Sequence, residues 1–509
     1  MTVRLYLLSF FLMMAVCVNA AGEITMYPVE PGAVRSGVFS VKVNGADVFT
    51  QAFKDIHYVR FAHKETITLE VVCLEKIEAL HIGPERDITA KEIRENTICF
   101  VLNKPGYHVI TLNNKERLFI LTDDAATPAI KNNWISVEKF GVHSSASEIQ
   151  TSLIQKALDK TAGKKQVLYF PAGIYRTGTL RIRSNATVYV SAGAMIKGSE
   201  NKADYPVDEG RKESDEVNDK AHYTDNGEWM TFSRLIFIND AQNVKIFGTG
   251  IIDGSGSVLR PQGKPANLIR IRNSKNVVIE DLLLRDPACW NTHILYSDKV
   301  TIRNIKMIND RAIANTDGFD PDASKNVLID HCFAYCSDDN IAIKTTNNDG
   351  LLQNCENITV RNCVFLTKKS SLKVGTETKG EIMQNILFQD NCVLEADRGM
   401  ALYCSDGALF QNIRFVGNYF EKGFPDSQKK AIHFQIKKRS GEGQIKNVLI
   451  EDCKFSENFH SSSEITGLDA QHTISGVRFK NLTVGGKRCS NVQDIHLKTN
   501  QYVQEISFE

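Results

Sequence analysis

The chain has almost no excess of one charge: 61 Lys and Arg stand against 60 Asp and Glu in 509 residues. No global basic field draws it onto nucleic acid, and an acidic partner would have to be held by local charges. Beyond the first twenty residues no apolar run reaches the roughly 20 residues that a membrane-spanning helix needs. The twelve cysteines include no Cys-x-x-Cys pair and no metal-ligand spacing with histidine, so neither a disulfide framework nor a metal site is indicated. What is present is ordinary: 42% hydrophobic and 24% charged residues exclude a wholly disordered chain and a polytopic membrane protein. The length allows two or three domains.

Residues 1–20 stand apart. Arg4 precedes a short apolar run, Leu5 to Val16, and Cys17-Val18-Asn19-Ala20 ends it with small residues. That is the pattern of a secretory signal peptide, with cleavage expected after Ala20 and a secreted or periplasmic product.

Residues 21–125 alternate as short strands, among them Val38–Val43, Thr66–Val72, Ile98–Leu102, His108–Leu112 and Leu118–Leu121. Asn44-Gly45, Pro105-Gly106 and Asn113-Asn114 supply turns, so a small β-sandwich is expected. A linker near Thr122–Pro128 closes it. In residues 135–509 one unit recurs: Asn, then an apolar-x-apolar pair. It begins at Asn243, Asn276, Asn326, Asn357, Asn385, Asn412 and Asn447, with copies lacking the Asn at Val300 and Val477. A period of a few tens of residues with period-2 alternation indicates a right-handed parallel β-helix, each repeat being one coil. A β-propeller would need longer repeats. An amphipathic segment, Glu148–Ala162, is expected as a helical N-terminal cap. Cys332, Cys363 and Cys453 each follow such an Asn by six residues and Cys392 by seven, which marks a buried core position.

One region concentrates carboxylates: Asn315-Thr316-Asp317-Gly318-Phe319-Asp320-Pro321-Asp322, then Ser337-Asp338-Asp339-Asn340. Asp317 and Asp338 are about one coil apart, which makes them neighbours on one face. Carboxylates so placed repel and separate in pKa, giving a protonated acid beside ionised partners. Glycosidic hydrolysis needs that pair, and an inverting enzyme keeps acid and base about 6.5–9.5 Å apart. Strand-capping or Ca²⁺-binding turns explain the same composition equally well.

The solenoid resembles glycoside hydrolase family 28, the polygalacturonase family, from residue 138 to about 460. The resemblance is carried by Phe140-Gly141-Val142, Phe170–Gly178, Gly193–Ser199, Gly248–Gly254, Pro287–His293, Asn315-Thr316-Asp317 and Asp338-Asp339 with Ile341–Lys344. It implies hydrolysis of pectic polysaccharide or oligosaccharide without metal or organic cofactor. Asp338 would be the general acid, and Asp317 and Asp339 would hold the attacking water. Two motifs depart from the family. Ser370 stands where its catalytic-site His would be, and Ala401 and Tyr403 stand where its Arg and Lys would hold a uronate carboxylate. An Arg–carboxylate fork is hard to replace. Lys373, Tyr403 and His433, with Asn315, are the expected substrate-binding residues, Lys373 being the outward member of Leu372-Lys373-Val374. Trp290 reads as a core aromatic, with sugar stacking as the alternative. A neutral glycan as substrate, a polysaccharide lyase and a non-catalytic glycan-binding β-helix remain rivals. The insertion Glu200–Trp229 would suit exo action by closing one end of a groove.

Overall fold

The computed structural model describes residues 22–88, 91–124, 130–207, 233–346, 351, 353–422, 430–456, 459 and 462–509. The expected signal peptide and most of the 200–229 insertion lie outside the described residues. The chain divides at residues 129–130 into two compact units.

The first unit is a two-sheet β-sandwich. One sheet has seven strands and the other five. Asn44 and Gly45 both take positive φ, 49° and 83°, as a two-residue hairpin turn between Phe39–Val43 and Ala46–Val48 requires. Val41, Ile67, Leu69, Val71, Phe100 and Ile120 fill the space between the sheets. Sequence alternation missed Ile56–His63, because that strand is buried along almost its whole length and does not alternate. It pairs in parallel with Glu116–Asp123.

The second unit is a right-handed parallel β-helix of three sheets, with 13, 13 and 11 strands. The Asn repeat is the first sheet. Each Asn at 243, 276, 326, 357, 385, 412 and 447 has φ between 54° and 58°. This left-handed conformation is tolerated by Asn, whose short polar side chain can bond locally. Here the amides bond to one another from coil to coil. Asn385 Nδ2 donates to Asn357 Oδ1 at 3.1 Å, and Asn357 donates to Asn326 at 3.1 Å. The copies without Asn place Lys299 and Gly476 at the same left-handed position. After each comes the inward pair, such as Val327 and Ile329 or Ile386 and Phe388, at no more than 1% exposure.

The eleven cysteines among the described residues are free thiols. Cys332, Cys363 and Cys453 share one inner column with two asparagines. The Cys332 N–H points to Cys363 Sγ, that of Cys363 to Asn391 Oδ1, and that of Asn391 to Asn418 Oδ1. Asn391, not Cys392, holds the equivalent place in its coil. The cap helix is Thr151–Thr161 and buries Ile154, Ala157 and Leu158. It is shorter than expected, because Ile149 belongs to the strand Ser145–Ile149 and is exposed.

The Asn ladder yields a stability test. Asn385→Ala should cost about 1–2 kcal/mol, since alanine carries the left-handed penalty without the amide bonds. Denaturant unfolding checks this; a loss no larger than at an ordinary surface position would refute the role assigned to the ladder.

Candidate active site

The carboxylates stand at the entry to the third sheet. The backbones of consecutive coils are hydrogen-bonded there: the N–H of Asn291 donates to Asp317 O, that of Gly318 to Asp339 O, and that of Asn340 to Ser370 O. Phe319 is level with Ile341, so Asp317 is level with Asp339 and Asp338 projects beside them. A Cβ at Gly318 would press into the Asn340 carbonyl oxygen, so only glycine lets these coils approach. Thr316 and Ser337 hydroxyls meet at 2.8 Å and tie the two acidic segments together. Asn309 Nδ2 donates to Thr316 O at 2.8 Å, and Arg311 Nε donates to Cys336 O at 3.1 Å.

Oxygens of Asp317, Asp338 and Asp339 all lie within 4.8 Å of one another. A cation could use such a spacing, but the adjacent positive charge is already supplied by two lysines, and we assign no metal here. Lys373 Nζ is 2.6 Å from Asp339 Oδ2, and Lys344 Nζ is 3.2 Å from Asp317 Oδ2. The three residues border an open cleft, with Trp290, Asn315, Lys344, Lys373, Thr376 and Glu377.

The three carboxyls differ electrostatically. Burial pushes Asp317 well above the usual range, with Lys344 opposing and Asp320 and Asp339 adding to the rise. Asp338 is pushed up to about 7 by desolvation and by the charges of Asp317 and Asp339. Burial also works against ionisation of Asp339, but the Lys373 ammonium outweighs it and holds that carboxyl low. The Ser370 N–H donates to Asp339 Oδ1 at 2.8 Å, so both of its oxygens are engaged. Asn315 Oδ1 and Asp317 Oδ1 are buried without a hydrogen-bond partner among the described residues. A water or a sugar hydroxyl would satisfy them.

The expected binding residues are contiguous. Lys373, Ala401 and His433 are level on consecutive strands. Lys373 is 8% exposed and faces the cleft, while Leu372 and Val374 fill the core. Its Nζ lies 5.5 Å from the centre of the Tyr403 ring, and Tyr403 Oη is 2.7 Å from His433 Nδ1. Tyr403 and His433 continue the array one and two coils beyond the residues that line the cleft. Burial raises the Tyr403 phenol to about 12 and lowers His433 to about 4, so both are neutral at physiological pH. Trp290 is 3% exposed yet borders the cleft, with Lys344 Nζ 3.6 Å from its ring centre.

Sequence reasoning passed over four charged residues. Lys344 and Asp320 lie behind Asp317, and Glu377 faces both lysines. Arg398 donates from Nε to Ser370 Oγ at 3.1 Å, with its guanidinium carbon 5.9 Å from the Tyr403 ring centre. A cation thus reaches the place of the absent His from a strand start, not from position 401 or 403. The available signal for Lys344 was phase: Ile341 and Ile343 point inward, which leaves Ala342 and Lys344 on the groove face.

Ionised Asp338 is costly in this setting, which gives a pH-dependent prediction. Its folded pKa is raised from 3.8 to about 7, so the cost is absent below 3.8, grows with rising pH and is complete above 7. Asp338→Asn should therefore raise Tm at pH 8 and leave it unchanged at pH 3.5. Thermal unfolding at the two pH values checks this, and equal shifts at both would contradict it.

Comparison with known proteins places this arrangement. The family model "Glycosyl hydrolases family 28" matches residues 211–501. A probable polygalacturonase of Vitis vinifera is 26% identical over 284 residues, 52% of this chain and 56% of that protein. The match therefore spans little more than half of that relative's length. An exo-poly-alpha-D-galacturonosidase of Dickeya chrysanthemi is 22% identical over 455 residues, 74% of this chain and 71% of its own. A solved hyperthermoactive exopolygalacturonase from Thermotoga maritima superposes with a TM-score of 0.56 at 19% identity, covering 72% of this chain and 94% of that one, and so supports the fold. With more than half its length matched to the family model, the chain belongs to glycosyl hydrolases family 28.

Proposed function

We propose that this protein is an exported glycosidase of polygalacturonase type, which hydrolyses α-glycosidic bonds in pectic or related polysaccharide by single displacement with inversion. Asp338 is the general acid, and Asp317 and Asp339 hold and activate the attacking water. The observation that carries the reading is the electrostatic division within the trio: Asp338 is raised to about 7 while Lys373 keeps Asp339 ionised. A protonated donor and an anionic acceptor then coexist near neutral pH, as bond cleavage with water requires. Two carboxylate oxygens at most 4.8 Å apart can both bond one water, each at an ordinary distance. Lys373, Tyr403, His433 and Asn315 form the sugar-binding floor, and Arg398 adds a cation beside them. Export rests on residues 1–20 and agrees with the described residues, in which no helix is long and apolar enough to cross a membrane.

The spacing itself favours a second reading. Carboxylate oxygens no more than 4.8 Å apart are nearer to the roughly 5 Å of double displacement than to the 6.5–9.5 Å of inversion. Against it, Asp339 is committed to Lys373 and the Ser370 N–H, which makes it a poor nucleophile. The first-formed anomer decides between the two.

The experiment is a product assay on a panel of plant polysaccharides. New reducing ends on a pectic substrate, of inverted configuration and about 10²–10⁴-fold slower with Asp338→Asn, are expected. Retained configuration would replace single with double displacement. An ultraviolet-absorbing product would indicate a lyase, and cleavage of neutral glycans alone would discard the pectic substrate. Lys373→Ala should raise KM on every cleaved substrate, and an unchanged KM on all of them would remove Lys373 from the floor.

A further inference from the structure

Lys344 belongs to the strand Ile341–Thr345, one coil beyond Asp317, and is only 3% exposed. Its ammonium lies among carboxylates from two other strands and the loop before one of them. Asp317 Oδ2 is at 3.2 Å, Asp320 Oδ1 at 3.0 Å and Glu377 Oε2 at 3.9 Å. The Trp290 ring closes the remaining side. These contacts outweigh the burial that would otherwise strip the lysine of its proton.

The surrounding charges divide between partners. Glu377 also pairs with Arg439 at 3.3 Å. Asp322, level with Lys344, is bound by His293 at 2.9 Å and by the Thr346 backbone N–H at 2.8 Å. Asp339 has Lys373. Asp317 has Lys344, and Asp320 shares that ammonium at 3.0 Å. Asp338 makes no ion pair among the described residues. Two lysines thus serve two members of the trio and leave the third without one.

We propose that Lys344 is a positioning residue that offsets the burial of Asp317, so that this carboxyl can ionise and hold the attacking water. The inference rests on the hydrolase reading given above. An ammonium 3.2 Å from a carboxylate in a water-poor site strongly favours the anion. Without it, burial and the neighbouring Asp320 and Asp339 act on Asp317 unopposed at that oxygen. Asp317 then keeps its proton to still higher pH, and over that range its water loses an acceptor. The aromatic face holds the ammonium in place.

Replacing Lys344 by methionine removes the charge at similar volume. A base must be ionised, so activity falls as pH drops through its pKa, and raising that pKa moves the acid limb of the profile upward. K344M is expected to lower kcat about a hundredfold at pH 5–6, with KM changed less than about threefold, and to shift the acid limb of kcat up by at least about one pH unit. K344R should recover part of the limb. A kcat loss with an unmoved limb would overturn the proposal.

Thermal unfolding of the wild type, K344M, D317N and the double variant reads the same pair without substrate. D317N should raise Tm more in the K344M background than in the wild type, whereas equal effects would overturn the proposal. If K344M does not fold, K344Q replaces it, and D317N is expected to restore folding to either. If the wild type cleaves no polysaccharide, the hydrolase reading fails, yet the unfolding cycle still decides the Lys344–Asp317 pairing.

Discussion

Hydrogen bonding between successive coils governs this molecule. Every coil is laid on the last in parallel register, so whatever one strand presents at a given level meets its equivalent about 4.8 Å away. For apolar residues that repetition is favourable and gives the stacked interior, such as Phe388 on Phe415 with ring centres 5.0 Å apart. For asparagine it gives a ladder of amides. For aspartate it forces together charges that would separate in solution. The carboxylate cluster is thus a by-product of the same stacking that makes the core.

The register could not neutralise that repulsion, so other side chains do. Lys373 and Lys344 come from the two coils that follow Asp317, and each is set against a different carboxylate. Arg398 enters from the next coil through Ser370. The site is therefore assembled from strands that are far apart in sequence, and each coil adds its charge at a height fixed by backbone bonding. Rigid walls of this kind suit a reaction in which donor, acceptor and water must be held in place before the sugar arrives.

Much of this was legible beforehand. The Asn repeat exposed the solenoid because a left-handed turn position recurs in the coils and asparagine tolerates it. The acidic pair of segments marked the candidate site, although composition alone left strand-capping or ion-binding turns as an equal account of it. Lys373 was readable from the alternation of its strand. Tyr403 and His433 were readable as members of the same face, but their mutual hydrogen bond was not. What stayed hidden depended on contacts across coils of unequal length. Arg398 sits at a strand start, where alternation gives no phase. Glu377 follows Thr376 in a strand that changes register, so counting residues misplaces it. Ile56–His63 escaped because strands buried on both faces carry no alternation. The cap helix was drawn too early because Ile149 continues its apolar spacing from inside a strand.

The absent side chain at Gly318 separates the molecule into parts with different freedom to change. Beside it, Asp317, Asp339 and Asn340 are locked by main-chain approach, and no substitution of the glycine leaves the coils where they are. Further along the sheet, Ala401, Tyr403 and His433 are also held by strand pairing, but their side chains project from the sheet face and can be exchanged without moving any backbone. The half of the groove that carries the carboxylates is thus held fixed, while the half that carries Tyr403 and His433 is open to revision. A solenoid built this way can acquire a new substrate by small steps and keep the old chemistry throughout.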